Sequence, residues 1–145
     1  MEKLSNEEQQ KLQQIFNELQ NYEAMADLLR QQINMIANSL TELSMTVETI
    51  KTIRELELGT EILVPIGSDS FVTTKLAATD KVITGLGADV SAEQSVDGAK
   101  LMLEARITEL GRILEQARQE LEKIGKQIEE LRPEADRILT KTKEK

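Results

Sequence analysis

Glu61–Ser95 reads EILVPIGSDSFVTTKLAATDKVITGLGADVSAEQS, and this stretch decides the fold. On either side the sequence is charged and heptad-periodic; within it the period stops, and β-branched residues, glycines and a proline take over. β-rich runs separated by Gly-containing loops predict four short strands, at Ile62–Ile66, Phe71–Ala77, Lys81–Thr84 and Asp89–Glu93. Gly67-Ser68-Asp69-Ser70 and Gly85-Leu86-Gly87-Ala88 have the length of hairpin loops, so the strands read as two hairpins linked by Ala78-Thr79-Asp80. Pro65 has no amide hydrogen to give a ladder, which puts its strand at an edge or bulges it there. Isolated hairpins are not stable in water. The segment therefore reads as an assembly platform in which Val64, Ile66, Phe71, Leu76 and Ile83 need partners.

Upstream, Ser5-Asn6-Glu7-Glu8 fits a capping box, with Ser5 at the N-cap and Glu8 reaching back. A heptad follows. Leu12, Leu19, Ala26, Ile33, Leu40 and Val47 hold its a positions, and Ile15, Tyr22, Leu29, Ile36, Leu43 and Ile50 its d positions. The phase is lost at Arg54 and Glu57, and Gly59 is expected to end the helix as its C′ residue. Downstream, Ser95 is the expected N-cap, with Asp97 at the positive end of the helix dipole. Leu103, Leu110, Ala117, Ile124, Leu131 and Ile138 then occupy d, while Ile107, Leu114, Leu121, Ile128 and Ala135 occupy a. At 1.5 Å per residue the two helices span about 78 and about 70 Å, and helices of matched length across a compact segment fold back as an antiparallel coiled-coil hairpin. Pro133 should kink or interrupt the second helix, and Gly111 and Gly125, both at e, are positions where it can curve.

Composition limits the function. The 145 residues suit one domain. With Phe16, Tyr22 and Phe71 as the only aromatics, the core is a set of thin seams. The absence of Cys and His removes disulfides, thiolate and imidazole chemistry and the commonest zinc ligands. Gly85-Leu86-Gly87-Ala88-Asp89-Val90 starts like a dinucleotide fingerprint, but Val90 stands at the third glycine and the next helix begins too late. No GK[ST] phosphate loop occurs, and carboxylate pairs such as Glu129-Glu130 fall on solvated helix faces, so no enzyme, cofactor or metal is expected. MEKLSNEEQQ has no apolar core for a signal peptide, and no run is long enough to span a bilayer, so no membrane partner is expected.

The net charge is −8. Residues 1–60 carry five basic against ten acidic side chains, residues 61–95 two against five, and residues 96–145 eleven of each. Such a chain is a poor nucleic-acid binder. The locally basic end, with Arg137, Lys141, Lys143 and Lys145 against Glu144, reads as a solvated helix terminus. Outside the seam lie Leu4, Phe16 and Leu139, with Met25, Met35 and Met45; the methionines would suit an adaptable apolar surface.

Leu63-Val64-Pro65-Ile66-Gly67-Ser68-Asp69-Ser70-Phe71-Val72 resembles the strand motif of prefoldin subunits. Val82-Ile83, then Gly87-Ala88-Asp89-Val90 with Glu93 and Ala99, is similar to the second hairpin of the α-type subunit. The family often has Gly where this chain has Asp69 and Asp89. The resemblance covers the whole chain and implies an α+β fold: a long antiparallel coiled-coil hairpin whose two central β-hairpins form a β-barrel oligomerisation platform. It makes residues 1–145 one prefoldin-like domain, with helices over 1–60 and 96–145 and the platform over 61–95.

It also implies an ATP-independent holding chaperone of the cytoplasm, archaeal in the first reading and eukaryotic in the second. Two such subunits would join four β-type subunits, hold unfolded polypeptide at the coiled-coil tips and deliver it to a group II chaperonin. The platform residues on this reading are Val64, Pro65, Ile66, Gly67, Phe71, Val72, Leu76, Val82, Ile83, Gly87 and Val90. Antiparallel pairing sets residues 1–19 against 131–145. Client contact is therefore expected at Leu4, Leu12, Ile15, Phe16 and Leu19, with Leu131, Ile138 and Leu139 opposite, about 70 Å from the platform. The competing class is a structural coiled-coil spacer or adaptor with a β oligomerisation module.

Overall fold

The computed structural model describes residues 4–143. Its elements run α1 (Asn6–Glu55), β1 (Glu61–Gly67), β2 (Ser70–Lys75), β3 (Lys81–Gly87), β4 (Val90–Ser95) and α2 (Val96–Lys143). Among the described residues no helix is long and apolar enough to cross a membrane. The chain divides into two compact units, one of Met1–Asn38 with Arg112–Lys145 and the other of Ser39–Gly111.

In the first unit α1 starts at the expected capping box. The Ser5 amide donates to Glu8 Oε2 at 3.1 Å, and the Glu8 amide donates to Ser5 Oγ at 3.2 Å. Two orphan donors of the first turn are satisfied in this way. The helices pair antiparallel, with Ile15, Leu19 and Ala135 buried and Leu12, Ile128, Leu131 and Ile138 packed on them. Lys11–Glu134 (3.1 Å), Glu23–Arg132 (2.8 Å) and Glu8–Lys141 (3.8 Å) bridge the same helices. Exposed pairs of this kind contribute about 0–1 kcal/mol each, so the apolar seam carries the pairing.

Every a and d residue of both heptad runs is buried or half-buried. Pro133 does not interrupt α2, which continues to Lys143. The carbonyl that loses its partner belongs to Glu129, on an exposed turn where water can replace the missing N–H. Gly111 and Gly125 have open space where a Cβ would stand, so neither serves a close helix approach. Replacing both with alanine should therefore stabilise the chain by about 1–2 kcal/mol in total and raise the urea midpoint. A lowered midpoint would show that the glycine backbone itself is required.

In the second unit Val47, Ile50, Val96, Ala99 and Leu103 form the core, with Leu43, Val82 and Ile107 packed against it. The Gly98 amide donates to Ser95 Oγ at 3.0 Å, which makes Ser95 the N-cap, and Asp97 in that first turn pairs with Arg54. Gly59 does not end α1. The helix stops at Glu55, and Gly59, at φ 83°, lies in the following turn, where its amide donates to the Leu76 carbonyl at 2.8 Å. The Leu76 amide donates to the Thr60 carbonyl at 2.9 Å, so the β1–β2 ladder gains a rung beyond Glu61↔Lys75. β2 itself ends at Lys75, short of the expected Ala77.

The hairpin loops are shorter than the sequence suggested. β1 runs on to Gly67 and β3 to Gly87, leaving two-residue turns at Ser68-Asp69 and Ala88-Asp89. All four turn residues have φ between 47° and 59°. Positive φ at both central positions is the turn geometry whose twist matches the flanking strands. Asp69 and Asp89 tolerate it well. Each hairpin also skips one residue: Ile66 lies between the pairs Pro65↔Phe71 and Gly67↔Ser70, and Leu86 between Gly85↔Ser91 and Gly87↔Val90. The bulge expected from Pro65 thus falls directly after it. The hairpins are separate two-stranded sheets, and a single chain closes no barrel.

Candidate functional site

The two sheets bury little of their apolar surface. In the first, the pairs Leu63↔Thr73 and Pro65↔Phe71 define one face, while Ile62↔Thr74 and Val64↔Val72 define the other. Phe71 is 57% exposed and Ile66 at the bulge 67%; Val64, Val72 and Pro65 are also exposed. In the second sheet Val82, Thr84, Ala92 and Gln94 form a half-buried face, and Val82 reaches the helix core. The opposite face is open and carries Ile83, 78% exposed, beside the Lys81–Glu93 pair at 3.4 Å.

Val90, Gly67 and Gly87 are exposed, and Leu76 is half-buried. Of the expected platform set, Val82 and Leu76 therefore support the hairpins from within the unit, and the remainder face outward. Leu63 and Leu86 are exposed as well and add apolar surface to the first and second hairpin respectively, although neither is among the expected platform residues. The period of two that links Leu63 to Pro65 and Phe71 was the available signal for the first. Leu86 was hidden by its assignment to a loop.

At the helix end of the first unit the expected client residues separate into two groups. Leu12, Ile15, Leu19, Leu131 and Ile138 close the seam on one another, and Leu4 is half-buried. Phe16 and Leu139 stand outside it, 41% and 37% exposed. Beside Phe16 a groove of about 360 Å³ is lined by Leu19 and Ala135 on its apolar side and by Gln20, Glu23, Arg132 and Asp136 on its polar side. The Glu23–Arg132 pair closes part of that polar edge. An apolar side chain fits this chemistry, with hydrogen-bonding groups beside it for the backbone that bears it.

Arg137 and Lys141 of the basic terminus are exposed; Glu144 and Lys145 lie outside the described residues, as does the side chain of Lys143. No group of three or more metal-ligating side chains comes together among the described residues.

Known proteins are similar to this chain in sequence and in fold. The prefoldin subunit family profile matches residues 22–141. A prefoldin subunit alpha of Methanopyrus kandleri is 34% identical over 82% of this chain and 76% of its own length. A prefoldin subunit alpha of Methanosarcina barkeri is 35% identical over 82% of this chain and 85% of its own. The cryo-EM structure of filamentous PFD from Methanocaldococcus jannaschii superposes with a TM-score of 0.70 at 28% identity, covering 79% of this chain and 95% of that one. On this evidence the chain belongs to the prefoldin family of chaperone subunits, which assemble with one another into oligomers, and its relatives place it with the α-type.

Proposed function

We propose that this chain is an ATP-independent holding subunit, working as one prefoldin-like domain in the cytoplasm. Two copies join four β-type subunits through the hairpins, whose exposed strands complete β-barrels across subunits. Unfolded polypeptides are held at the helix ends and passed to a group II chaperonin. The observation that carries the holding role is Phe16, exposed beside a groove of apolar floor and polar rim at the end of the helix pair.

Holding by burial of apolar groups requires no nucleotide, and the sequence has no phosphate loop. Suppression of the aggregation of a chemically unfolded protein should therefore be equal with and without ATP when no chaperonin is present. A reproducible gain with ATP would overturn this mechanism, and an absence of suppression under both conditions would favour the spacer. A second reading concerns assembly alone. The likeness to a filamentous PFD favours self-association, and light scattering of the chain by itself and with a β-type subunit separates the two.

A further inference from the structure

We infer that the outward face of α1 from Gln10 to Asn38 is a second contact surface for client polypeptide, one that takes extended, uncharged segments. This rests on the holding role proposed above and adds a place and a chemical preference to it. Over this span the b, c and f positions of the heptad are all exposed. Such positions ordinarily carry the charges that keep a helix pair solvated. Here Asp27 is the only charged residue among them, and Arg30 pairs with it at 2.9 Å.

The other positions are mostly Gln and Asn, interrupted by Leu28 and Met35, which are 57% and 70% exposed. α2 in the same unit is the opposite: its b and c positions include Glu115, Glu122, Lys123, Glu129 and Glu130. The missing charge is therefore a property of one helix face and not of the whole coiled coil.

The chemistry of that face matches a neutral polypeptide. Laying a segment across charged side chains strips water from them, at a cost that an uncharged face avoids. Primary amides can both donate and accept; Gln13 Nε2 donates to Asn17 Oδ1 at 3.2 Å, and such groups can exchange onto the backbone of an extended client. Met35 on this face and Met25 at its edge, one turn from Leu28, supply flexible apolar contacts. The face is also continuous with the groove at Phe16, because Gln20, one of its b residues, lines that groove. A client anchored there reaches the amide face directly.

The test compares two charge-matched variants of the full chain assembled with its partner subunits. L28E/M35E places two carboxylates on this face, and Q116E/Q119E places two on the exposed face of α2. Glutamate is as good a helix former as the residues replaced, so both should fold. Binding of a labelled, end-capped peptide of leucine, glutamine and serine is followed by fluorescence anisotropy. L28E/M35E should weaken it roughly fivefold or more, and Q116E/Q119E less than about twofold.

Equal losses would reduce the effect to net charge and overturn the inference. Unchanged peptide binding by L28E/M35E, with wild-type aggregation suppression, would overturn it while leaving the holding role intact. A wild-type assembly that neither binds the peptide nor suppresses aggregation would remove both. A change in oligomer size in L28E/M35E alone would assign the face to a second copy of a subunit instead.

Discussion

Replacing Phe71 and Ile83 with lysine should reduce the assembled chain to small species without loss of helical signal. Both residues stand open on two-stranded sheets, at 57% and 78% exposure, although each is a large apolar group. Isolated hairpins are marginal in water, and these draw support within the second unit from Val82, which meets the helix core, and from the backbone bonds of Leu76 to Gly59 and Thr60. The remaining apolar area is available to another subunit. Burying one such side chain is worth about 1.5–3 kcal/mol, so two withdraw about 3–6 kcal/mol from each subunit's contact. That corresponds to roughly 10²–10⁴ in the association constant. Lysine adds a charge that a sheet edge cannot bury without further cost. The turns and the core of the second unit are untouched, since neither residue packs there. Deleting residues 61–95 behind a short helix-joining loop should give the same loss of mass more drastically. A full-size oligomer by light scattering in either variant would move assembly out of the hairpins.

Much of this was legible in the sequence, because the signals were periodic. The a and d assignments identified the covered side of both helices, and Ser5, Glu8 and Ser95 marked the caps because their side chains stand where they can meet the first-turn amides. Pro65 announced a disturbed ladder for the same kind of reason: it lacks a donor. Features that depend on where the chain turns were harder to read. Gly67 and Gly87 look like loop residues, yet they end strands, and the turns fall on Ser68-Asp69 and Ala88-Asp89, where composition alone gives a weak signal. Gly59 has the left-handed backbone of a helix terminator but uses it to meet Leu76. At the helix ends the heptad register already sets Phe16 and Leu139 at e, outside the seam, and packing agrees by burying Ile15 and Leu19 and leaving Phe16 exposed.

That separation sharpens the second large effect. Phe16→Glu with Leu139→Glu should cost the assembly most of its ability to suppress aggregation. Both positions lie at e, outside the seam residues Leu12, Ile15, Leu19, Leu131 and Ile138, so the helix pair keeps its packing. At Phe16 the change also sets a carboxylate beside the groove that already holds Glu23 and Asp136, which disfavours an apolar occupant. Each lost contact is worth at most about 1.5–3 kcal/mol. Binding through several subunits multiplies small individual affinities through effective concentration, so losing the contact in every copy has a disproportionate effect. The concentration required for half-suppression should rise about tenfold or more, since 1.4 kcal/mol already gives a factor of ten. Truncating residues 1–10 and 137–145 removes the Ser5 cap and the Glu8–Lys141 pair as well, and should abolish suppression while the hairpins still assemble the oligomer. If the double variant keeps wild-type suppression in an intact oligomer, Phe16 and Leu139 are not client contacts. Clients would then depend on surfaces further along the helices, with the amide face of α1 the first to test.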